Sequence, residues 1–189
     1  MNLTLQDVVS RPVYAYYSVD ASAMVKLKDM LPSDLFRLAW DEIERLVREG
    51  RWRIYDYVAK EIHGEEIERW FDRNPDAIMH FDSNFNRYLN RFTTELDMQG
   101  VRMINPRTNK DAGDPFVVTL ALVMEQRDLT DLTQRTNDKT CCVLTNEAPK
   151  PGKVNIPHVC ELYSLPCLNL FDFMRHHGWE ITLRVRHPD

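Results

Sequence analysis

The stretch Val13-Tyr14-Ala15-Tyr16-Tyr17-Ser18-Val19-Asp20-Ala21-Ser22 decides how the rest of the chain is read. Its aromatic and β-branched residues, with no Gly or Pro after Pro12, predict a strand. Apolar groups fall on both faces, which suits a strand covered by helices on each side. The run ends in a carboxylate, Asp20, followed by the hydroxyl of Ser22. Ligands in open α/β sheets bind beyond the carboxyl ends of the strands, which makes Asp20 a candidate site residue. Asp is also a common turn former, so from this stretch alone both readings stand.

Working outward, residues 1–12 form a polar N-terminal extension, and 13–189 read as one domain. Lys26 to Pro32 reads as a connecting turn. A helix is predicted next, with Ser33 as N-cap and Gly50 just past its end. Leu35, Leu38, Ala39, Ile43, Leu46 and Val47 form its buried stripe. Arg51 to Tyr55 has strand character and completes a β-α-β unit, which favours parallel pairing. Tyr57 to Ile62 leads into a further helix and puts Glu61 shortly after this second strand. Asn74-Pro75 breaks the pattern, and Asp76 to Met98 again repeats apolar residues at helical spacing.

Gly100 to Gly113 reads as a connection carrying Arg102, Arg107 and Lys110. Asp114-Pro115 opens a helix running to about Glu125, with Asp114 expected at the N-cap and Pro115 at the first helical position. Thr140 to Thr145 reads as a buried strand ending at Asn146-Glu147. Ala148 to Pro157 is a loop carrying Lys150 and Lys153. A short helix (His158 to Ser164), a short strand (Cys167 to Leu170), a helix (Phe171 to His177) and a last strand (Trp179 to Val185) complete the pattern.

A length of 189 residues with 43% hydrophobic and 28% charged residues places the chain among globular proteins. Apolar runs fall short of the roughly 20 residues that a spanning helix needs, and the N-terminus lacks the pattern of a secretory signal. The cytoplasm is the expected compartment. A formal net charge of −5 provides no global basic field for nucleic acid. Any phosphate contact therefore has to come from local Arg and Lys. The four cysteines lack the spacing of a zinc site and read as buried reduced thiols.

The order strand–Asp20, strand–Glu61, helix start–Asp114, strand–Glu147 directs several carboxylates toward one sheet edge. Close carboxylates repel, and a divalent cation is the usual remedy. Oxygen-rich sites suit Mg2+ or Mn2+, and such sites suit phosphodiester hydrolysis. The four acids are expected in one pocket, with Glu65 as a substitute for Glu61, and at least one is expected to have a raised pKa.

Three segments carry a family resemblance: Val19-Asp20-Ala21-Ser22, Asp114-Pro115-Phe116-Val117-Val118-Thr119-Leu120-Ala121 and Val143-Leu144-Thr145-Asn146-Glu147. Their order and spacing resemble the PIN-domain ribonucleases, the superfamily that includes VapC-type toxins. The stretches Ile156-Pro157-His158-Val159-Cys160, Leu168-Asn169-Leu170-Phe171-Asp172 and Gly178-Trp179 look like an uncharacterised PIN-like toxin branch. Glu147 stands where many members of the superfamily have Asp.

The resemblance implies a three-layer α/β/α sandwich with a mainly parallel sheet. It implies an endoribonuclease dependent on Mg2+ or Mn2+, with Asp20, Glu61, Asp114 and Glu147 as metal and catalytic residues. Ser22 and Thr145 would orient them, and Arg107, Lys110, Lys150 and Lys153 would meet RNA. As the toxin of a toxin–antitoxin pair it would have an antitoxin partner and form a homodimer. Two alternatives compete. One is a non-catalytic RNA- or protein-binding module on the same fold. The other is a phosphatase using Asp20 as nucleophile, which normally needs an acid at the position of Ser22.

Overall fold

The computed structural model describes residues 14–103, 113–149 and 154–180. Within them, β1 (Tyr16–Val19), β2 (Trp52–Tyr55), β3 (Ile78–Met79), β4 (Cys141–Leu144) and β5 (Cys167–Leu168) form one sheet. The strand order is β3-β2-β1-β4-β5, and each pairing is parallel. The helices are α1 (Ala21–Met30), α2 (Arg37–Arg48), α3 (Asp56–Ala59), α4 (Glu65–Arg73), α5 (Ser83–Met98), α6 (Asp114–Met124), α7 (Ile156–Leu162) and α8 (Leu170–His176). The chain winds outward from β1 through β2 to β3, then returns to the other side of β1 with β4 and β5. The β1/β4 boundary is therefore the point where the winding reverses.

Alternation along β1 builds the layers. Tyr17 packs on Phe173 of α8 and on Trp52 of β2, with ring centroids 5.1 and 6.1 Å apart. Ser18, on the opposite face, donates from Oγ to the Val117 carbonyl of α6 at 2.7 Å. Helix α8 thus covers one face and α6 the other, with α5 and α7 packed on α6 and α1 packed on α8. This is the α/β/α sandwich with a parallel sheet that the sequence predicts. Nearly every residue of α6 is buried, as expected for a helix that is apolar around most of its circumference.

The direction of α6 matters for the site. Its C-terminal end lies at the start of β4, where the Cys141 amide donates to Glu125 Oε1 at 2.7 Å. Glu125 and Arg127 are 0% and 2% exposed and form a buried pair, Arg127 Nε donating to Glu125 Oε2 at 2.5 Å. The same guanidinium donates to the carbonyls of Leu132 (3.2 Å) and Thr133 (2.7 Å), fixing the turn-rich segment before β4. Helix α6 consequently runs antiparallel to the strands, its N-terminus at their carboxyl ends.

Several local expectations are corrected. The strand ends at Val19, and residues expected in a turn after Lys26 continue α1, because Ala23, Met24, Leu27 and Leu31 form a buried helical stripe. Helix α2 starts at Arg37, not after Ser33; the Ser33 hydroxyl and amide both bond Glu66 Oε1. Leu35 and Leu38 are 75% and 84% exposed, and Trp40 takes the buried position expected of them. At about 100° per residue, Leu38 points roughly 160° away from Trp40. Trp40 is fixed by donating to the Leu31 carbonyl at 2.6 Å and packing edge-on against Trp70.

The segment expected as one helix from Asp76 holds a turn of 3-10 helix at Pro75–Ala77 and then β3, paired through Ile54↔Ile78 and Tyr55↔Met79. Helix α5 begins only after Asp82, whose side chain accepts from the Phe85 amide at 2.6 Å. Helix α7 begins at Ile156, ahead of the expected His158. Trp179 and Glu180 are not in a strand, and the rest of the expected last strand lies outside the described residues, as do residues 1–12. Cys141, Cys142 and Cys160 are buried, Cys167 is half-buried, and all four are free thiols. Burial pushes the Cys141 and Cys142 thiols well up, which suppresses thiolate reactivity.

The end of α8 is tied to the core by His177, whose Nε2 lies 2.8 Å from the Tyr17 hydroxyl and whose Nδ1 lies 3.9 Å from Glu42 Oε1. Burial, with the charge of His176 in second place, lowers its pKa to about 4. The unfolded chain takes up this proton near pH 6.5 while the folded chain resists until about pH 4. Stability from this group is complete above pH 6.5 and is lost as pH falls through that window. Urea unfolding at pH 7 and pH 4.5 should therefore show a smaller acid loss for His177→Gln than for wild type. Equal losses would remove His177 from the acid sensitivity.

Candidate carboxylate site at the carboxyl edge of the sheet

The register between β1 and β4 pairs Val19 with Leu144, so the next residues, Asp20 and Thr145, emerge side by side at the carboxyl edge. Thr145 Oγ1 donates to Asp20 Oδ2 at 2.8 Å. Ser22, in the first turn of α1, donates its hydroxyl to the same oxygen, and the Ser22 and Thr145 oxygens lie 3.3 Å apart. The Asn146 amide donates to Ser22 Oγ at 2.9 Å and the Glu147 amide to Thr145 Oγ1 at 3.1 Å. Both hydroxyls are thereby oriented toward the carboxylate. Asp20 occupies the N-cap position of α1 in extended conformation and is 7% exposed.

Burial raises the Asp20 pKa, while the hydroxyls of Ser22 and Thr145 and the amides of Ser22 and Ala21 act in the opposite direction. The sequence reading expected a raised pKa from mutual repulsion of carboxylates. The leading cause here is loss of water around a single carboxylate.

Glu61 and Asp114 form a second group. Helix α6 starts with Gly113 at the N-cap and Asp114 as its first helical residue, one position earlier than expected. Asp114 is 8% exposed, and a carboxylate in the first turn is favoured by the helix dipole. Glu61 stands in the turn after α3 and is exposed. Its carboxylate fills the space that a side chain at Gly113 would need: a Cβ there would lie 2.8 Å from Glu61 Oε1 and 3.2 Å from Oε2. The sequence reading missed Gly113, because a glycine before Asp-Pro looks like an ordinary turn residue.

The two groups stand at the same edge of the sheet. From the Ser18–Val117 hydrogen bond, Asp20 is two residues up the strand, about 6.6 Å. Asp114 is three residues back along the helix, about 4.5 Å in the same direction. Glu147 joins Asp20 through Thr145, but its Oε2 accepts from the Ile156 amide at 3.1 Å and so supports the start of α7. Asn155, buried and also missed from sequence, donates to the Ala148 carbonyl at 2.8 Å and caps α7 by accepting from the His158 amide. Among the described residues, no three His, Cys, Asp or Glu side chains are gathered closely enough to hold a metal ion. Glu65 is exposed and pairs with Arg69 at 2.6 Å. Arg107, Lys110, Lys150 and Lys153 lie outside the described residues.

The donor chemistry at this edge is all oxygen, which suits a hard divalent cation. The Gly113 cradle leaves room for the Glu61 carboxylate beside Asp114. No helix among the described residues is long and apolar enough to cross a membrane.

A family described as "Domain of unknown function (DUF4411)" matches residues 17–181. No curated protein matches the chain. Among solved structures, the chain is similar to the crystal structure of VapBC2 from Rickettsia felis bound to a DNA fragment from their promoter. The TM-score is 0.43 at 14% identity, covering 82% of this chain and 98% of that one.

Proposed function

From the premise that this chain belongs to the DUF4411 family, we propose that it is a PIN-like endoribonuclease dependent on Mg2+ or Mn2+. The observation that carries the reading is the Asp20 carboxylate, buried where the strand order reverses and held there by the hydroxyls of Ser22 and Thr145. That is the position at which open α/β sheets bind ligands. Asp20 and Asp114 would be the principal ligands of the cation, with Glu61 and Glu147 direct or water-mediated. A bound cation of this kind supplies orientation of an attacking water and charge stabilisation at the leaving oxygen.

The chain's own residues then have separable tasks. Ser22 and Thr145 fix the direction of the Asp20 carboxylate, and the amides of Asn146 and Glu147 fix those hydroxyls. Gly113 admits Glu61 to the edge. The sequence resemblance to PIN-domain toxins extends the proposal to a toxin that is silenced by an antitoxin protein and forms a homodimer. A non-catalytic RNA- or protein-binding module on the same fold is the second reading. The phosphatase reading is the weaker one, since Ser22 bonds Asp20 itself and supplies no acid.

Incubation of structured and unstructured RNA with the protein, with Mn2+, Mg2+ or EDTA, tests the proposal. Metal-dependent cleavage is the expected result; RNA binding with no cleavage under any metal would favour the non-catalytic module. Gly113→Ala provides a finer test. Its Cβ displaces only the flexible end of Glu61, so the melting temperature should stay within a few degrees of wild type. Cleavage should fall about 10- to 100-fold, as for other residues that orient metal ligands. Undiminished cleavage by Gly113→Ala would remove Glu61 from the site.

A further inference from the structure

Beside the carboxylate edge stands a cluster of aromatic rings that runs from the core to solvent. Tyr55, at the end of β2, stacks on Phe85 of α5 with centroids 4.2 Å apart and planes 9° apart. It also stacks on Phe116 of α6 at 5.1 Å and 4°. Phe116 meets Tyr57 at 5.1 Å, and Phe85 meets Phe81 at 6.4 Å. The inner rings are buried or half-buried, but Tyr57 is 40% and Phe81 56% exposed. Burial and packing account for the inner three rings and leave the outer two presented to water.

The position of these rings ties them to the site. Phe116 lies in the first turn of α6 next to Asp114-Pro115, and Tyr57 lies on α3, one turn ahead of Glu61. The outer rings therefore continue the carboxylate edge. A polyanion approaching that edge meets carboxylates and a chain of net charge −5. Anchoring through uncharged groups avoids that repulsion, and nucleobases provide such groups because each has a π face.

We infer that Tyr57 and Phe81 form a stacking shelf for unpaired bases of single-stranded RNA leading to the carboxylate site. The inference rests on the nuclease reading for its substrate class. Selectivity for single strands follows, because bases inside a duplex offer no free face to a side chain. The shelf is sequence-tolerant, since stacking does not read base edges.

The test measures fluorescence anisotropy of a labelled single-stranded oligoadenylate of about ten nucleotides, in EDTA so that binding is read without turnover. Tyr57→Leu and Phe81→Leu should each weaken binding about five-fold or more. Tyr57→Phe, which keeps the ring, should bind as wild type does, and blunt-ended duplex RNA should bind weakly and respond to none of these changes. Wild-type affinity in both Leu variants overturns the shelf. So does unchanged RNA affinity with an altered oligomeric mass by light scattering, which would make the rings a protein interface. Photocrosslinking of 5-iodouridine RNA to the wild-type protein needs no variant, and crosslinks confined to other residues also overturn the shelf. Metal-dependent cleavage by a protein whose Leu variants bind normally would leave the nuclease reading intact. Ring-dependent binding without cleavage would support the shelf and sink the nuclease.

Discussion

Asp20→Asn should lose RNA cleavage by more than about 100-fold, because even residues that merely orient metal ligands cost 10- to 100-fold. The variant keeps nearly the same shape, and its side-chain oxygen still accepts from Ser22 and Thr145. It removes a buried charge whose pKa is raised chiefly by that burial. In EDTA the variant should therefore melt no lower than wild type. Mn2+ should raise the melting temperature of wild type by mass action and leave Asp20→Asn nearly unmoved. This pairing of unaffected metal-free stability with lost metal response separates a ligand from a structural acid. Equal Mn2+ shifts in the two proteins would exclude Asp20 as a ligand.

The largest stability effect is expected far from that edge. Glu125→Ala leaves the Arg127 guanidinium buried without its carboxylate, a change that costs about 3–5 kcal/mol in comparable pairs. It also removes the acceptor of the Cys141 amide, the first residue of β4. Against a total stability of roughly 5–15 kcal/mol this is a large fraction. Thermal unfolding should shift down by roughly 6–20 °C, at about 2–4 °C per kcal/mol for a chain of this size. Removing both charges, as Glu125→Met with Arg127→Met, should recover part of the loss. Recovery should be incomplete, because the Leu132 and Thr133 carbonyls lose their donor. A melting temperature within about 2 °C of wild type for Glu125→Ala would show that the pair is replaceable by water.

Sequence by itself determined the alternation of strands and helices, the parallel sheet that follows from it, and the placement of Asp20 and Asp114 next to element ends. These features depend on residues within one or two turns of each other, where propensity, apolar spacing and Pro signals act. The same signals misplaced α1, β3 and the start of α2. In α2, Leu38 and Trp40 are both apolar, and only the position of Trp70 and the Leu31 carbonyl decides which faces inward. β3 is two residues long and exists because β2 offers it an edge at Ile54 and Tyr55.

Tertiary structure alone decided the contacts that build the candidate site and the buried pair. Asp20 and Thr145 are 125 positions apart and meet because the β1/β4 register sets Val19 against Leu144. Glu61 reaches the start of α6 because Gly113 has no Cβ to exclude it. Glu125 and Arg127, charged residues that composition assigns to the surface, are buried because they pair with each other and with the Cys141 amide and the Leu132 and Thr133 carbonyls. Hydrogen bonds between distant residues carry no periodicity along the chain, and are fixed only once the sheet register and helix packing bring their partners within about 3 Å.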